Sequence, residues 1–448
     1  MKKEQGIRNK EQGTGNGNLI KIDQSFSLHL PHILLAMNAY PVIFFDNTEY
    51  AFAYKTDKEL KKARFLFSSM GKPWLVKLGI KATPAAVKWN LPFVKPLIRN
   101  TIFRQFVGGE TLEQNVIVAD KLEKYGVQVI LDYGVEGKEG EANFDHACDE
   151  FIRVINYAAT QPNIPFMSIK VTGFARFCLL EKLDAMMHGA AGSLMKRYLK
   201  AVDDLSADEK EEWRRVRTRM LRICETAAAG KVGVFVDAEE TWIQDPVDAL
   251  TILMMDTFNK EKCVVYNTIQ HYRYDRLQFL KDSYEAAVER KFILGAKLVR
   301  GAYMEKERKR AEEMGYPSPI QPDKESCDRD YNAGIKFCID HLDRIALAVA
   351  SHNEDSNMYA AKLLMEKGLP LKHPHVHWSQ LYGMSDNITF NLAKAGCSVS
   401  KYLPFGPIKD VIPYLMRRAQ ENTSVGGQTG RELGLIKNEL RRRRNSFS

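Results

Sequence analysis

Tyr414, Arg417, Arg418 and Glu421 stand in the run YLMRRAQE, close to the end of the chain. Their spacings of three and four residues put them along one side of a helix. Two guanidiniums on that side can flank a single anion. Arginine's planar fork suits a carboxylate or a phosphate, and Glu421, within one turn of both arginines, can neutralise or orient them. An exposed helix laced with intrahelical ion pairs would look the same locally, so the reading depends on what else the chain brings to this helix.

What must position such a clamp lies upstream. From residue 120 onward, eight short β-rich runs recur between helix-like stretches: VQVILDY (127–133), FMSIKVT (166–172), VGVFVDA (232–238), CVVYNTI (263–269), GAKLVRG (295–301), IALAVAS (345–351), HVHWSQL (375–381) and CSVSKYL (397–403). Strands alternating with helices imply parallel pairing with right-handed crossovers. Eight such units close into a (β/α)8 TIM barrel, so the predicted class is α/β. Near-continuous apolar strands agree with burial on both faces.

The spacing predicts a distorted barrel over 116–430 with attachments. About sixty residues separate the second and third runs, more than a βα unit needs, which predicts a helical insertion over 180–230. Within it, Ser206 and Glu209 form a capping-box signature. Residues 46–115 read as a helical arm, 1–45 as a disordered or irregular head, and 431–448 as a basic C-terminal helix or tail.

In such a barrel the active site lies at the carboxyl ends of the strands. The residues there are polar: Asp132, Lys170, Asp237 with Glu239, Gln270, Arg300, His352 with Asn353, Gln380 and Tyr402. Two chemistries could use this ring. Asp132, Asp237, Glu239 and His352 could ligate a divalent metal, as in a metal-dependent barrel hydrolase or aldolase. Against that, Lys170, Arg300, Arg417 and Arg418 bring cations to the same mouth, which suits an anionic substrate and an anionic cofactor better. Neither a Walker A sequence nor a G-x-G-x-x-G after a strand occurs, so any nucleotide must bind the barrel itself. Arg300-Gly301-Ala302-Tyr303 offers a cation, two small residues that permit close backbone approach, and an aromatic.

Composition sets the remaining bounds. The 448 residues are 45% hydrophobic with a net charge of +9, ordinary for a soluble protein with a large core. Seven scattered cysteines without C-x-x-C spacing fit a reducing compartment and no zinc site. Arg441 to Arg444 read as a solvated helix end, with an anionic membrane surface as a second use. No basic face with interleaved aromatics argues for nucleic acid. The apolar stretch SLHLPHILLAMNAYPVIFF is broken by histidines, an asparagine and prolines, so it is not read as a membrane span.

Taken in order, Ser168-Ile-Lys170, VDAEE (236–240), NTIQ (267–270), AKLVRGAY (296–303), ASHNED (350–355), QLYGM (380–384), KYLPFG (401–406) and PYLMRRAQENTS (413–424) closely resemble the proline dehydrogenase family. The resemblance covers roughly residues 160–430 and is closest to the stand-alone, mitochondrial-type form. It implies a barrel holding FAD, oxidation of L-proline to Δ1-pyrroline-5-carboxylate, and electron transfer to a membrane quinone. A separate pyrroline-5-carboxylate dehydrogenase would act next. By position it implies that Arg417 and Arg418 grip the proline carboxylate, supported by Glu421. Tyr402 and Tyr414 would pack on the ring, Leu381 would add apolar contact, and Lys170 and Asp237 would form a charged pair beside it. Gln270, Lys297, Arg300, Ala302, His352 and Asn353 would contact the flavin, with Tyr303 near its ring system.

Many family members carry arginine at the place of Lys297, where lysine keeps the charge but loses the fork. The resemblance also leaves hydroxyproline dehydrogenase as an alternative. There a smaller hydroxylic residue replaces Tyr402, whose ring would crowd a substrate hydroxyl. Peripheral membrane contact through the tail or the arm is a further expectation. The expected location is a bacterial cytoplasm facing the inner membrane, or the matrix side of mitochondria in a eukaryote.

Overall fold

The computed structural model describes residues 43–89, 92–134, 139–424 and 428–446. Nearly all of the expected irregular head therefore lies outside the described residues. Its last positions, 43–45, are irregular but packed: Ile43 and Phe45 are buried, and the Phe45 carbonyl accepts from Asn387 Nδ2 at 2.9 Å.

Eight parallel strands close into a barrel in chain order, as their alternation with helices predicts. They are β1 Gln128–Tyr133, β2 Phe166–Ile169, β3 Gly233–Val236, β4 Val265–Gln270, β5 Leu294–Val299, β6 Ile345–Ala350, β7 Val376–Leu381 and β8 Val399–Phe405. The ladder closes where β1 pairs with β8, with Ile130 opposite Tyr402. β2 and β3 are short. They end before Lys170 and Asp237, so both side chains belong to the connections just beyond the sheet.

Inside the barrel, Ile130, Phe235, Tyr266, Ala346, Ala348 and Tyr402 form one apolar cluster, with Phe166 packed against it. Phe166 and Phe235 stack with centroids 4.7 Å apart. Two alanines on β6 leave space for these rings. Gly233 is required for the same reason, because a Cβ there would lie 2.3 Å from the Phe166 ring.

Three helices, Phe177–His188, Leu194–Asp203 and Ala207–Gly230, separate β2 from β3. Ser206 and Glu209 cap the last of them reciprocally. Before β1 the chain runs through helices Thr48–Phe52, Asp57–Met70, Pro73–Lys88 and Val94–Ile98. Their buried faces, including Phe52, Leu60, Phe67 and Val76, join Ile408, Val411, Ile412 and Leu415 in one apolar cluster. The latter four lie on the helix Ile408–Ser424, which carries the proposed clamp. Each fully buried Phe or Leu here contributes about 1.5–3 kcal/mol, so the arm forms the apolar backing of the clamp helix.

A buried charge centre ties arm to barrel. Asp386 pairs with Lys401 of β8 at 2.9 Å and with Lys55 of the arm at 2.9 Å, and accepts from the Tyr54 hydroxyl at 2.9 Å. Burial works against its charge, but Lys401 and Lys55 hold its carboxyl down at about 2.

The basic C-terminal segment is a helix, but it is solvated only in part. In the helix Gln428–Asn445, Ile436 and Leu440 are buried in the arm's cluster. Arg443 donates to Glu439 at 2.7 Å, to Asp57 at 2.8 Å and to the Phe52 carbonyl at 2.8 Å. Apolar positions at 436 and 440 share a helical stripe, and they bring Arg442 and Arg443 onto the arm while Arg441 and Arg444 stay exposed.

Candidate active site

The carboxyl ends of the strands gather most of the polar residues picked out from sequence. Asp237, just past β3, is paired with Lys297 of β5 and accepts from the Tyr402 hydroxyl of β8 at 2.5 Å. This corrects the expected Lys170–Asp237 pair: the lysine bound to Asp237 is Lys297, because β5 presents its ammonium inside the barrel. There it lies 5.2 Å from the Phe235 ring and 5.0 Å from the Tyr402 ring. The charge of Lys170 acts on Glu239 and on Tyr303. Burial, then Asp237 and Asp132, push the Tyr402 hydroxyl well above its ordinary range, so it serves as a neutral donor and an apolar wall.

The clamp helix supplies the opposite wall. Arg418 is buried, donates to Glu421 at 2.6 Å, and lies 5.1 Å from the centroid of Tyr414. Arg417 is half-buried on the same helix. The Tyr414 hydroxyl has no hydrogen-bond partner among the described residues. Burial raises the Glu421 carboxyl while Arg418 and Arg417 pull it down, as expected for one acid serving two cations.

Charges of the clamp helix and of the barrel mouth act on shared groups. Tyr303, after β5, feels Lys170, Glu239 and Arg417 together. Asp132 acts on both Tyr402 and Tyr414. Leu381, at the end of β7, packs against both the barrel cluster and the arm cluster.

The residues assigned to a cofactor are more varied in their commitments. Gln270 donates to the Glu239 carbonyl at 2.7 Å and to the Tyr272 hydroxyl at 2.8 Å, while its own amide oxygen is buried with no hydrogen-bond partner. Arg300 is paired with Asp328, donates to Ser351 at 2.7 Å and Ser356 at 3.1 Å, and lies over the Tyr331 ring at 4.0 Å. Ala302 is exposed beside Gly301, whose φ of +82° turns the chain out of β5. Tyr303 packs against Tyr272. Asn353 caps the helix Glu354–Glu366, its side-chain oxygen accepting from Ser356 N at 2.9 Å.

His352 is the most constrained of the set. Its Nδ1 shares a 2.9 Å hydrogen bond with the Ser385 hydroxyl, and Arg431 donates to its carbonyl at 3.2 Å. Burial first, and then the cations Lys401, Arg418, Arg431 and Arg300, drive its pKa well below the ordinary value. The ring is therefore neutral at physiological pH.

Asp328, Ser385 and Arg431 escaped the sequence reading. Each acts through another residue from a helix or its cap, and no local motif marks them. Gln380, counted in the strand-end ring, is occupied in the scaffold: it donates to the Ser351 carbonyl at 3.2 Å and accepts from Thr389 at 2.8 Å. Among the described residues no three His, Cys, Asp or Glu side chains come together as a metal site. The acids of the metal alternative are engaged otherwise, Asp237 by Lys297 and Tyr402, and Glu239 by the Thr172 hydroxyl at 2.7 Å.

Glu239 gives a pH-dependent expectation. Burial pushes its carboxyl up to about 7 from 4.5, with Lys170 and the Thr172 hydrogen bonds acting against the rise. A raised carboxyl means that the folded state binds the proton more tightly. Its contribution to stability is fully present below 4.5 and is lost as pH rises through 7. Glu239→Gln removes this dependence. The wild-type unfolding free energy, relative to the variant, will fall by on the order of 3 kcal/mol across that window, measured by urea unfolding at stepped pH. A difference that stays flat would refute the assignment.

With this geometry in hand, comparison with known proteins is specific. Residues 117–431 match the sequence profile of the family described as Proline dehydrogenase. Proline dehydrogenase 1, mitochondrial, of Dictyostelium discoideum is 32% identical over 387 residues, which cover 79% of this chain and 67% of that protein. The carbapenem antibiotics biosynthesis protein CarD of Pectobacterium carotovorum subsp. carotovorum is 35% identical over 338 residues, 75% of this chain and 83% of that one. Hydroxyproline dehydrogenase of Xenopus laevis is 31% identical over 420 residues, 88% of each chain. Among solved structures, proline utilization A (PutA) from Bdellovibrio bacteriovorus, inactivated by N-propargylglycine, superposes with a TM-score of 0.64 at 20% identity, over 88% of this chain and 41% of that chain. This chain thus spans about two fifths of that larger protein, and the likeness is one of fold. Closed barrel, convergent clamp and the match over 117–431 agree: the chain belongs to the proline dehydrogenase family.

Proposed function

We propose that this chain is an FAD-dependent L-proline dehydrogenase that forms Δ1-pyrroline-5-carboxylate and passes the electrons to a membrane quinone, as the first step of proline catabolism. The observation that carries the proposal is that Leu381 packs both against the barrel cluster containing Tyr402 and against the cluster of the clamp helix, which bears Tyr414, Arg417 and Arg418. A carboxylate-bearing ring is the ligand this combination fits, with charge matched at one end and aromatic surface along the other.

The residues present fit a flavin dinucleotide. The buried amide oxygen of Gln270 has no partner among the described residues, and an acceptor of that kind suits a ring N–H. Neighbouring β5 and the residue just after it supply the cations Lys297 and Arg300 for an anionic cofactor. Gln270, Lys297, Arg300, Ala302, Tyr303, His352 and Asn353 would hold it. When bound, FAD supplies the hydride acceptor.

The chain's own part is binding and orientation. Arg417 and Arg418 take the substrate carboxylate, and Glu421 holds Arg418 in its rotamer. Tyr402, fixed by Asp237, and Tyr414 confine the ring, with Leu381 as apolar contact. Orientation of this kind lowers the barrier more than an added base would, since the substrate's amine proton can leave to solvent. His352, kept neutral, adds no positive charge of its own.

Hydroxyproline dehydrogenase is the second reading, favoured by relatives of that name at 31% and 32% identity. Tyr402, only 8% exposed and tied to Asp237, argues for proline. Tyr402→Ser tests the choice. The variant will shift the ratio of kcat/KM for trans-4-hydroxy-L-proline over L-proline upward by ~10- to 100-fold. A wild-type enzyme that already prefers hydroxyproline would move the assignment to the second reading.

A further inference from the structure

The charge of this chain is not spread evenly. Between Leu60 and Gly109 there are ten lysines and arginines and no aspartate or glutamate, so this arm segment carries +10 of a total of +9, and the remainder is −1. The same segment holds much of the exposed apolar surface. Trp74 is 65% exposed, Leu78 61%, Trp89 72%, Phe93 82% and Leu97 65%.

Helical geometry separates these residues from the core. In the helix Pro73–Lys88, Val76, Ile80 and Val87 pack into the arm's cluster. At 100° per residue, Trp74 and Leu78 point to the opposite side. Lys72, Lys77 and Lys95 are exposed around them. Phe93 has φ of +66°, a costly conformation for an aromatic residue. Its exposed ring joins none of the apolar clusters of the described residues.

We infer that this outer face of the arm, over residues 72–89 and 92–97, is a docking surface for an anionic lipid bilayer. Trp74 and Leu78 on a helix whose other side is already packed, with Trp89 and Phe93 beyond its end and lysines among them, suit a segment lying in the headgroup plane. The acid-free run supplies the complementary charge. No described helix is long and apolar enough to cross a membrane. The surface provides the membrane contact that a quinone acceptor requires, and for that purpose it rests on the proposed function. Because Val76, Ile80 and Val87 pack with the clamp helix, docking occurs directly behind the substrate site.

The test is sedimentation of the whole protein with vesicles of mixed phosphatidylglycerol and phosphatidylcholine, or of phosphatidylcholine alone. Wild type will bind the mixed vesicles and not the neutral ones. Trp74→Ser with Phe93→Ser will lower partitioning about tenfold or more. Lys72→Ser, Lys77→Ser and Lys95→Ser together will lower it by roughly a hundredfold. Arg441→Ser with Arg444→Ser, on the C-terminal helix, will bind as wild type. The inference is overturned if no vesicle binds, if the aromatic variant binds as wild type, or if only the tail variant loses binding. It is also overturned if the aromatic variant merely splits a dimer, which would make a second copy the occupant. Bleaching of bound flavin by L-proline, read without vesicles, is a separate measurement. Loss of bleaching with intact vesicle binding would fail the site and spare the surface.

Discussion

Arg418→Met will weaken L-proline binding by about 30-fold to several thousandfold, corresponding to the ~2–5 kcal/mol lost when one partner of a desolvated charge pair is removed. The size follows from burial: Arg418 is 7% exposed, beside the Tyr414 ring and bound to Glu421 at 2.6 Å. Arg418→Lys will fall between, keeping a point charge but losing the bidentate fork. Prolinamide, which has no carboxylate, separates a specific role from general damage. Its affinity will be nearly the same in wild type and variant. Equal weakening for both ligands would mean that Arg418 only supports the helix.

The second large effect concerns stability. Asp386→Asn will cost about 3–5 kcal/mol of unfolding free energy, because Lys401 is fully buried and loses its charge partner. Replacing Asp386 with Leu and Lys401 with Met together will recover much of that loss, as removal of a whole buried pair is far less costly than breaking it. The pH dependence has a definite sign. Asp386 is held at about 2, below its ordinary 3.8, so its stabilisation is present above 3.8 and disappears as pH falls through 2. Denaturant unfolding of wild type and variant will converge over that window. Limited proteolysis will find the arm cleaved sooner in Asp386→Asn, since Lys55 and Tyr54 anchor it to the same carboxylate.

These two sites differ in how far they were legible in the sequence. The barrel could be read because β-rich runs such as VQVILDY and IALAVAS are local and recur between helical stretches. The clamp could be read because helical spacing alone aligns Tyr414, Arg417, Arg418 and Glu421. Pairings across strands could not. Lys297 rather than Lys170 meets Asp237 because β2 stops at Ile169 while Lys297 lies within β5, a matter of strand length and register. Asp328 reaches Arg300 from the helix Lys324–Asp340, with no motif to announce it. Asp386 and Lys55 are 331 residues apart in the chain. The four terminal arginines were legible only in part: Arg441 and Arg444 are exposed as their charge suggests, whereas Ile436 and Leu440 on the same helix hold Arg442 and Arg443 against the arm.

The most direct test of the central claim is the anaerobic visible spectrum of the purified protein before and after addition of L-proline. The account predicts flavin bands that bleach with L-proline and much less with trans-4-hydroxy-L-proline. A colourless protein that takes up no added FAD, or a bound flavin that neither amino acid bleaches, would contradict it.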